Sequence, residues 1–139
     1  MTPKQIELVQ STWAMVVPIA DTAANLFYDR LFTIAPEVRP MFPQDMKEQK
    51  KKLMATIGVA IAGLNNLEKL VPVVQNLGVG HLDYGVREEH YQPVGAALLW
   101  TLEQGLGDKF TPEVKEAWTV VYTVLATTMI EAAKKKAAA

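Results

Sequence analysis

The chain has 139 residues, 50% of them hydrophobic and 21% charged, with a formal net charge of −1 and no cysteine. Those values predict a single folded domain over residues 1–139 and exclude a disordered chain. The charge balance argues against a nucleic-acid binder, and the missing thiols exclude disulfides, thiol catalysis and thiolate metal sites.

The N-terminal "MTPKQIELVQ" lacks the apolar core of a secretory signal. The longest uncharged apolar stretch, Leu53 to Leu64, falls short of the roughly 18 residues of a membrane span. A soluble, cytoplasmic protein with no membrane partner is expected. The two short basic clusters, Lys50-Lys51-Lys52 and Lys134-Lys135-Lys136, read as solvated helix surface.

Helical periodicity runs along almost the whole chain. Thr2-Pro3-Lys4-Gln5 predicts a helix start, with threonine as cap, proline at the first helical position and glutamine three after the cap. Ile6, Val9, Trp13 and Val16 follow on one face. Asp21 is placed to cap a second helix carrying Ala24, Phe27, Leu31 and Ile34, which Pro36 ends. "PEVRPMFPQD" has three prolines in ten residues and predicts an irregular corner.

A long helix then aligns Gln49, Leu53, Ile57, Ile61 and Leu64. Leu70, Val74, Leu77 and His81 form the next stripe, closed by Gly85. Tyr91, Val94, Leu98 and Leu102 form another, ending around Gly105 and Gly107. Thr111-Pro112-Glu113 starts the last helix, which buries Val114, Trp118, Val121 and Leu125 and closes on lysines that suit the negative end of the helix dipole. No sustained period-2 run exists, so the fold class is all-α.

Both histidines of the chain, His81 and His90, fall in "NLGVGHLDYGVREEHYQPVG". His81 closes an apolar stripe, which turns its imidazole inward. As a residue it fits a core histidine, a ligand or a base. A zinc site needs about four ligands, and here Asp83, Glu88 and Glu89 would have to complete it from a helix-breaking segment. Nucleophilic catalysis has less support, because the chain's one serine, Ser11, lies in the first helix. Gly78 and Gly80 each cost a helix about 1 kcal/mol relative to alanine, a cost that suits close approach of the backbone to something bulky. His90 lies past the Gly85 break and points to a different side.

The segments "LFYDRLFTIAPEVRPMF", "NNLEKLVPVVQNLGVGHLDYGVREEHYQPVG" and "EAWTVVYTVLA" resemble the bacterial single-domain globins and the globin domain of flavohaemoglobins. The resemblance runs from about Gln5 to Met129. It implies a globin fold, packed helices around a pocket for haem b, with His81 as the iron ligand. It makes Tyr28 and Gln49 the distal polar residues that stabilise a bound gas, and it assigns no residue to covalent catalysis. Phe42, Leu53, Val86, Tyr91 and Val94 become haem contacts, and Lys52 falls where a basic residue meets a propionate.

The implied partners are the diatomic gases O2, NO and CO. The resemblance also implies oxygen binding or transport, or nitric oxide dioxygenase activity dependent on a separate reductase, in a monomer or weak homodimer. A haem-free helical interaction module and a gas or redox sensor are the alternatives. Flavohaemoglobins follow the globin with a flavin and nicotinamide reductase, and no strand pattern or Gly-rich fingerprint of one is present. Their glutamate eleven residues after the tyrosine matching Tyr122 is Ala133 here, with Glu131 two residues earlier. The Tyr–Glu relay that the resemblance implies is therefore not matched at its glutamate position.

Overall fold

Thr2 opens α1 (Pro3–Val16) in the expected way. The Gln5 N–H donates to the Thr2 hydroxyl at 3.1 Å, and the Thr2 N–H donates to the Gln5 side-chain carbonyl at 2.9 Å. Both donors at the helix end are thereby satisfied. Val9, Trp13 and Val16 turn into the core. This is a computed structural model; it describes residues 1–138 except Tyr84, and the side chains of Leu82 and Asp83 also lie outside the described set.

The second helix, α2 (Ala20–Ile34), departs from expectation at both ends. Pro18 sits in a 3-10 turn, Val17–Ile19, that continues straight from α1, so the N-cap position falls on Ile19, without a side-chain bond. Asp21 is not the cap. It lies in the first turn, where its carboxylate still favours the positive end of the helix dipole. Ala24, Phe27 and Leu31 are buried, but Ile34, assigned to the same stripe, is exposed at the helix end. The proline-rich corner is more regular than its composition predicts. Pro36–Met41 form a 3-10 helix, after which Phe42 is extended.

Helix α3 (Lys47–Ala62) stops before Leu64, which is nonetheless 1% exposed from a 3-10 turn at Gly63–Asn65. Then α4 (Leu67–Asp83) buries Leu70 and Val74. Gly85, with φ of +82°, follows it, and the Val86 N–H donates to the His81 carbonyl at 3.1 Å. That left-handed closure, which glycine adopts without the usual side-chain cost, ends the helix as the sequence predicts. Next come α5 (Tyr91–Leu106) and α6 (Pro112–Ala138), the latter opened by the Thr111 hydroxyl, which accepts from the Val114 N–H at 3.3 Å.

The helices pack in pairs: α4 on α6, α2 on α5, and α1 on α6. The α4–α6 crossing depends on Gly78, because a Cβ there would meet the Met129 backbone, 2.6 Å from its Cα. The bulky neighbour expected of a glycine in this helix is therefore the α6 backbone. Gly80 has nothing within 4 Å and no such reason.

At the core centre the Trp118 indole N–H donates to the Thr12 hydroxyl at 2.9 Å, beside the tilted Trp13 ring 6.1 Å away. Both large rings are thus buried with the Trp118 polar edge paired. Among the described residues no strand is present, and no helix is long and apolar enough to cross a membrane.

Candidate functional site

Helices α3 and α4 form a hairpin closed at Gly63–Asn65, and among the described residues they do not pack together along their lengths. Instead they line a groove of about 200 Å³. Thr56, Val59 and Ala60 of α3 face Leu70, Val74 and Leu77 of α4 across it. One turn further toward the open end stand Leu53 on α3 and His81 on α4, with Gln49 a turn beyond Leu53. Leu53 packs with the cluster around Tyr28 and Phe42.

On the α4 side, the His81 Nδ1 lies 2.5 Å from the Leu77 carbonyl oxygen. A carbonyl can only accept, so Nδ1 carries a proton. Such a carbonyl partner fixes both the tautomer and the ring orientation of a ligating histidine. His81 is half-buried, and its backbone carbonyl is held by the Val86 N–H in the helix closure. This corner presents one imidazole oriented by a backbone carbonyl. Among the described residues no group of three or more histidine, aspartate or glutamate side chains could hold a metal ion. The Asp83 side chain, weighed above as a zinc ligand, lies outside the described residues.

The α2 side carries an aromatic cluster. Tyr28 is 3% exposed and packs with Phe27, Leu31, Phe42, Leu53, Val94 and Leu98. The Tyr28 and Phe42 rings meet edge to face, with centroids 5.5 Å apart. The Gln49 amide N–H donates to the Tyr28 oxygen at 3.2 Å. Since that oxygen already accepts, the Tyr28 O–H is left to donate elsewhere. Burial pushes its pKa above the ordinary tyrosine value and the Gln49 bond pulls only partly against it, so the hydroxyl stays protonated across the physiological range.

Five of the nominated residues converge here: Tyr28, Phe42, Gln49, Leu53 and Val94. Tyr91 and Val94, three apart on α5, share a face.

The Globin family matches residues 25–129. The chain belongs to the globin family. This globin is similar to a flavohemoprotein of Bacillus subtilis, 35% identical over 130 residues that cover 91% of this chain and 33% of the relative. A flavohemoprotein of Rhodopirellula baltica is 33% identical over 129 residues, covering 91% of this chain and 32% of its own length. The chain spans about a third of the length of these curated relatives. Among solved structures, a bacterial globin from Campylobacter jejuni is 31% identical, with a TM-score of 0.88 over 99% of this chain and 100% of its own. An engineered carbene transferase from Rhodothermus marinus, 21% identical with a TM-score of 0.89 over 99% of this chain and 96% of its own, shares the fold.

The remaining nominated residues of this globin are placed as follows. Lys52 is exposed, and Val86 is half-buried directly after Gly85. His90 ends a 3-10 turn, Glu88–His90, and its Nδ1 accepts from the Arg87 N–H at 2.9 Å. That bond gives His90 a local capping job, apart from the His81 corner.

Tyr91 is half-buried, and burial raises its pKa. Its backbone carbonyl accepts from the Tyr122 hydroxyl at 2.6 Å. Burial, and then the neighbouring Tyr91, push the Tyr122 pKa far above the usual range, so Tyr122 is a permanent donor anchoring the start of α5. Its ring also fills the space beside Gly95, where a Cβ would come within 2.7 Å of it. Glu131 is exposed and Ala133 half-buried. Sequence reasoning missed Arg39, whose guanidinium donates to the Phe42, Pro43 and Gln44 carbonyls. The signal available was a lone cation among three prolines.

Proposed function

We propose that this globin binds haem between α3 and α4 and uses it to hold diatomic gases, chiefly O2, reversibly. The observation that carries this reading is the His81 imidazole, its Nδ1 held by the Leu77 carbonyl, on the helix that lines an apolar groove with α3. The donor set fits the group. Four porphyrin nitrogens would leave the iron in need of one donor from the protein, and one oriented imidazole is what this corner offers.

Haem, when bound, supplies a ferrous centre that takes up O2, CO or NO. The chain's own residues do the rest. His81 would ligate the iron, and the Leu77 carbonyl holds its ring in place. Phe42, Leu53 and Val94 form a wall that excludes water. Val86 bonds the His81 backbone carbonyl, Tyr91 would contact the haem, and Lys52, exposed on α3, would meet a propionate.

Tyr28 is the ligand-selecting group. Dioxygen held in such a pocket carries partial negative charge and accepts a strong hydrogen bond from the Tyr28 O–H, whereas CO accepts little. Gln49 donates to the Tyr28 oxygen, which aims that hydroxyl away from α3 and, by cooperative polarisation, makes it a better donor. The same pocket supports conversion of NO to nitrate, NO and O2 combining with one electron, when a separate reductase supplies that electron. Flavohemoproteins among the relatives motivate this second reading. Absorption spectroscopy during haem titration tests the proposal. One haem taken up per chain, with a strong Soret band, is the expected result; no uptake would favour a haem-free helical interaction module.

A further inference from the structure

The corner between α2 and α3 is short of backbone donors. Pro36, Pro40 and Pro43 carry no N–H, and the carbonyls of residues 42–44 lie outside any helix. One side chain collects them. The Arg39 Nη1 donates to the Phe42 carbonyl at 3.4 Å and to the Pro43 carbonyl at 3.0 Å, and Nη2 donates to the Gln44 carbonyl at 3.3 Å. The Arg39 carbonyl in turn accepts from the Phe42 N–H at 3.1 Å. Among the described residues no carboxylate pairs with this guanidinium.

The same cation sits 5.0 Å above the Phe32 ring of α2. Phe32 meets Phe42 edge to face at 5.5 Å and lies 5.8 Å from Tyr28, and Phe42 completes the triangle at 5.5 Å from Tyr28. A planar guanidinium suits this job, because its fork of donors spans several carbonyls while its face stacks on a ring. A lysine ammonium cannot do both.

We propose that Arg39 is a positioning residue of the distal pocket. It straps the 42–44 backbone to α2, keeps Phe42 against Tyr28, and so limits how often that wall opens. The strap stands on the geometry of the corner; its consequence for a ligand rests on the haem-pocket reading above.

Native-state hydrogen exchange on the haem-loaded protein tests the strap, and the infrared stretch of added CO tests its reach to the pocket. In Arg39→Met, amides of residues 41–47 should exchange roughly tenfold or more faster, the scale of one lost charge-assisted bond, while α1 and α6 stay unchanged. The CO band should broaden or split as Phe42 and Tyr28 lose their single arrangement, and Arg39→Lys should fall between wild type and Arg39→Met in both readouts. Should Arg39→Met fail to fold, Arg39→Lys carries the same comparison.

Unchanged exchange at the corner, or an equal rise in every helix, would overturn the strap. Faster local exchange with an unaltered CO band would overturn its role in the pocket. A wild-type protein that takes up no haem would overturn the reading of the site, and the same exchange comparison on the haem-free protein would then decide the strap.

Discussion

His81→Ala should purify with little haem, and what it retains should be rebound when imidazole is added. The physical reason is that the α4 corner holds one oriented nitrogen base. Its orientation is set by the Leu77 carbonyl and by the helix closure at Gly85 and Val86, both of which survive the substitution. The truncation leaves a space of imidazole's shape, so free imidazole can restore the axial donor without the tether.

His90→Ala is the control. It removes the acceptor for the Arg87 N–H at an exposed turn, a loss of about 0.5–1.5 kcal/mol, and haem retention should stay near wild type. Haem content after purification, with and without imidazole, is the measurement. Equal loss in the two variants would assign the wrong histidine.

Tyr28→Phe should weaken O2 binding by about 10- to 150-fold. The estimate follows from roughly 1.5–3 kcal/mol for a hydrogen bond to a charged acceptor, at 1.4 kcal/mol per tenfold. Most of the change belongs in the dissociation rate, because the bond forms after the ligand arrives. Phenylalanine keeps the edge-to-face contact with Phe42 and the packing beside Leu53 and Val94, so the pocket's shape is preserved. CO binding should change far less, and that contrast separates a lost hydrogen bond from a disturbed pocket.

Gln49→Leu should act in the same direction with a smaller effect. Its amide reaches Tyr28 itself, so it works through the hydroxyl. The two substitutions should be non-additive in a double-mutant cycle. Stopped-flow O2 release decides the matter: a Tyr28→Phe rate within about twofold of wild type, or equal acceleration of O2 and CO release, would remove Tyr28 from the role.

Much of this site is legible in the sequence because its signals are local. The Thr2 and Gln5 capping pair, the apolar stripe that ends in His81 and the Gly85 break all act over a few residues, and each forms as its spacing predicts. The pairing of Gln49 with Leu53 on one face is helical arithmetic. Assigning His81 to iron took the resemblance, since a lone inward imidazole is equally consistent with a core residue.

What spacing misses is contact between distant segments. Nothing near Gly78 in the chain announces the Met129 backbone of α6, and nothing near Tyr91 announces the Tyr122 hydroxyl on its carbonyl. Asp21 was misplaced because Pro18 lets a 3-10 turn carry α1 directly into α2, which moves the helix start. Arg39 was missed because its partners are backbone carbonyls, which the residue string does not display. The prolines that leave those carbonyls without N–H neighbours were the available clue.

The absorption spectrum of the reduced, ligand-free protein tests the central claim most directly. In the proposed pocket Gln49 and Tyr28 are the distal groups, and neither an amide nor a protonated phenol is a good ligand for ferrous iron. Their mutual hydrogen bond and the raised Tyr28 pKa keep both in those forms at neutral pH. The account predicts a five-coordinate, high-spin ferrous spectrum near neutral pH that converts fully to a six-coordinate one on adding CO. A six-coordinate, low-spin spectrum before any ligand is added, or no haem spectrum at all, would contradict it.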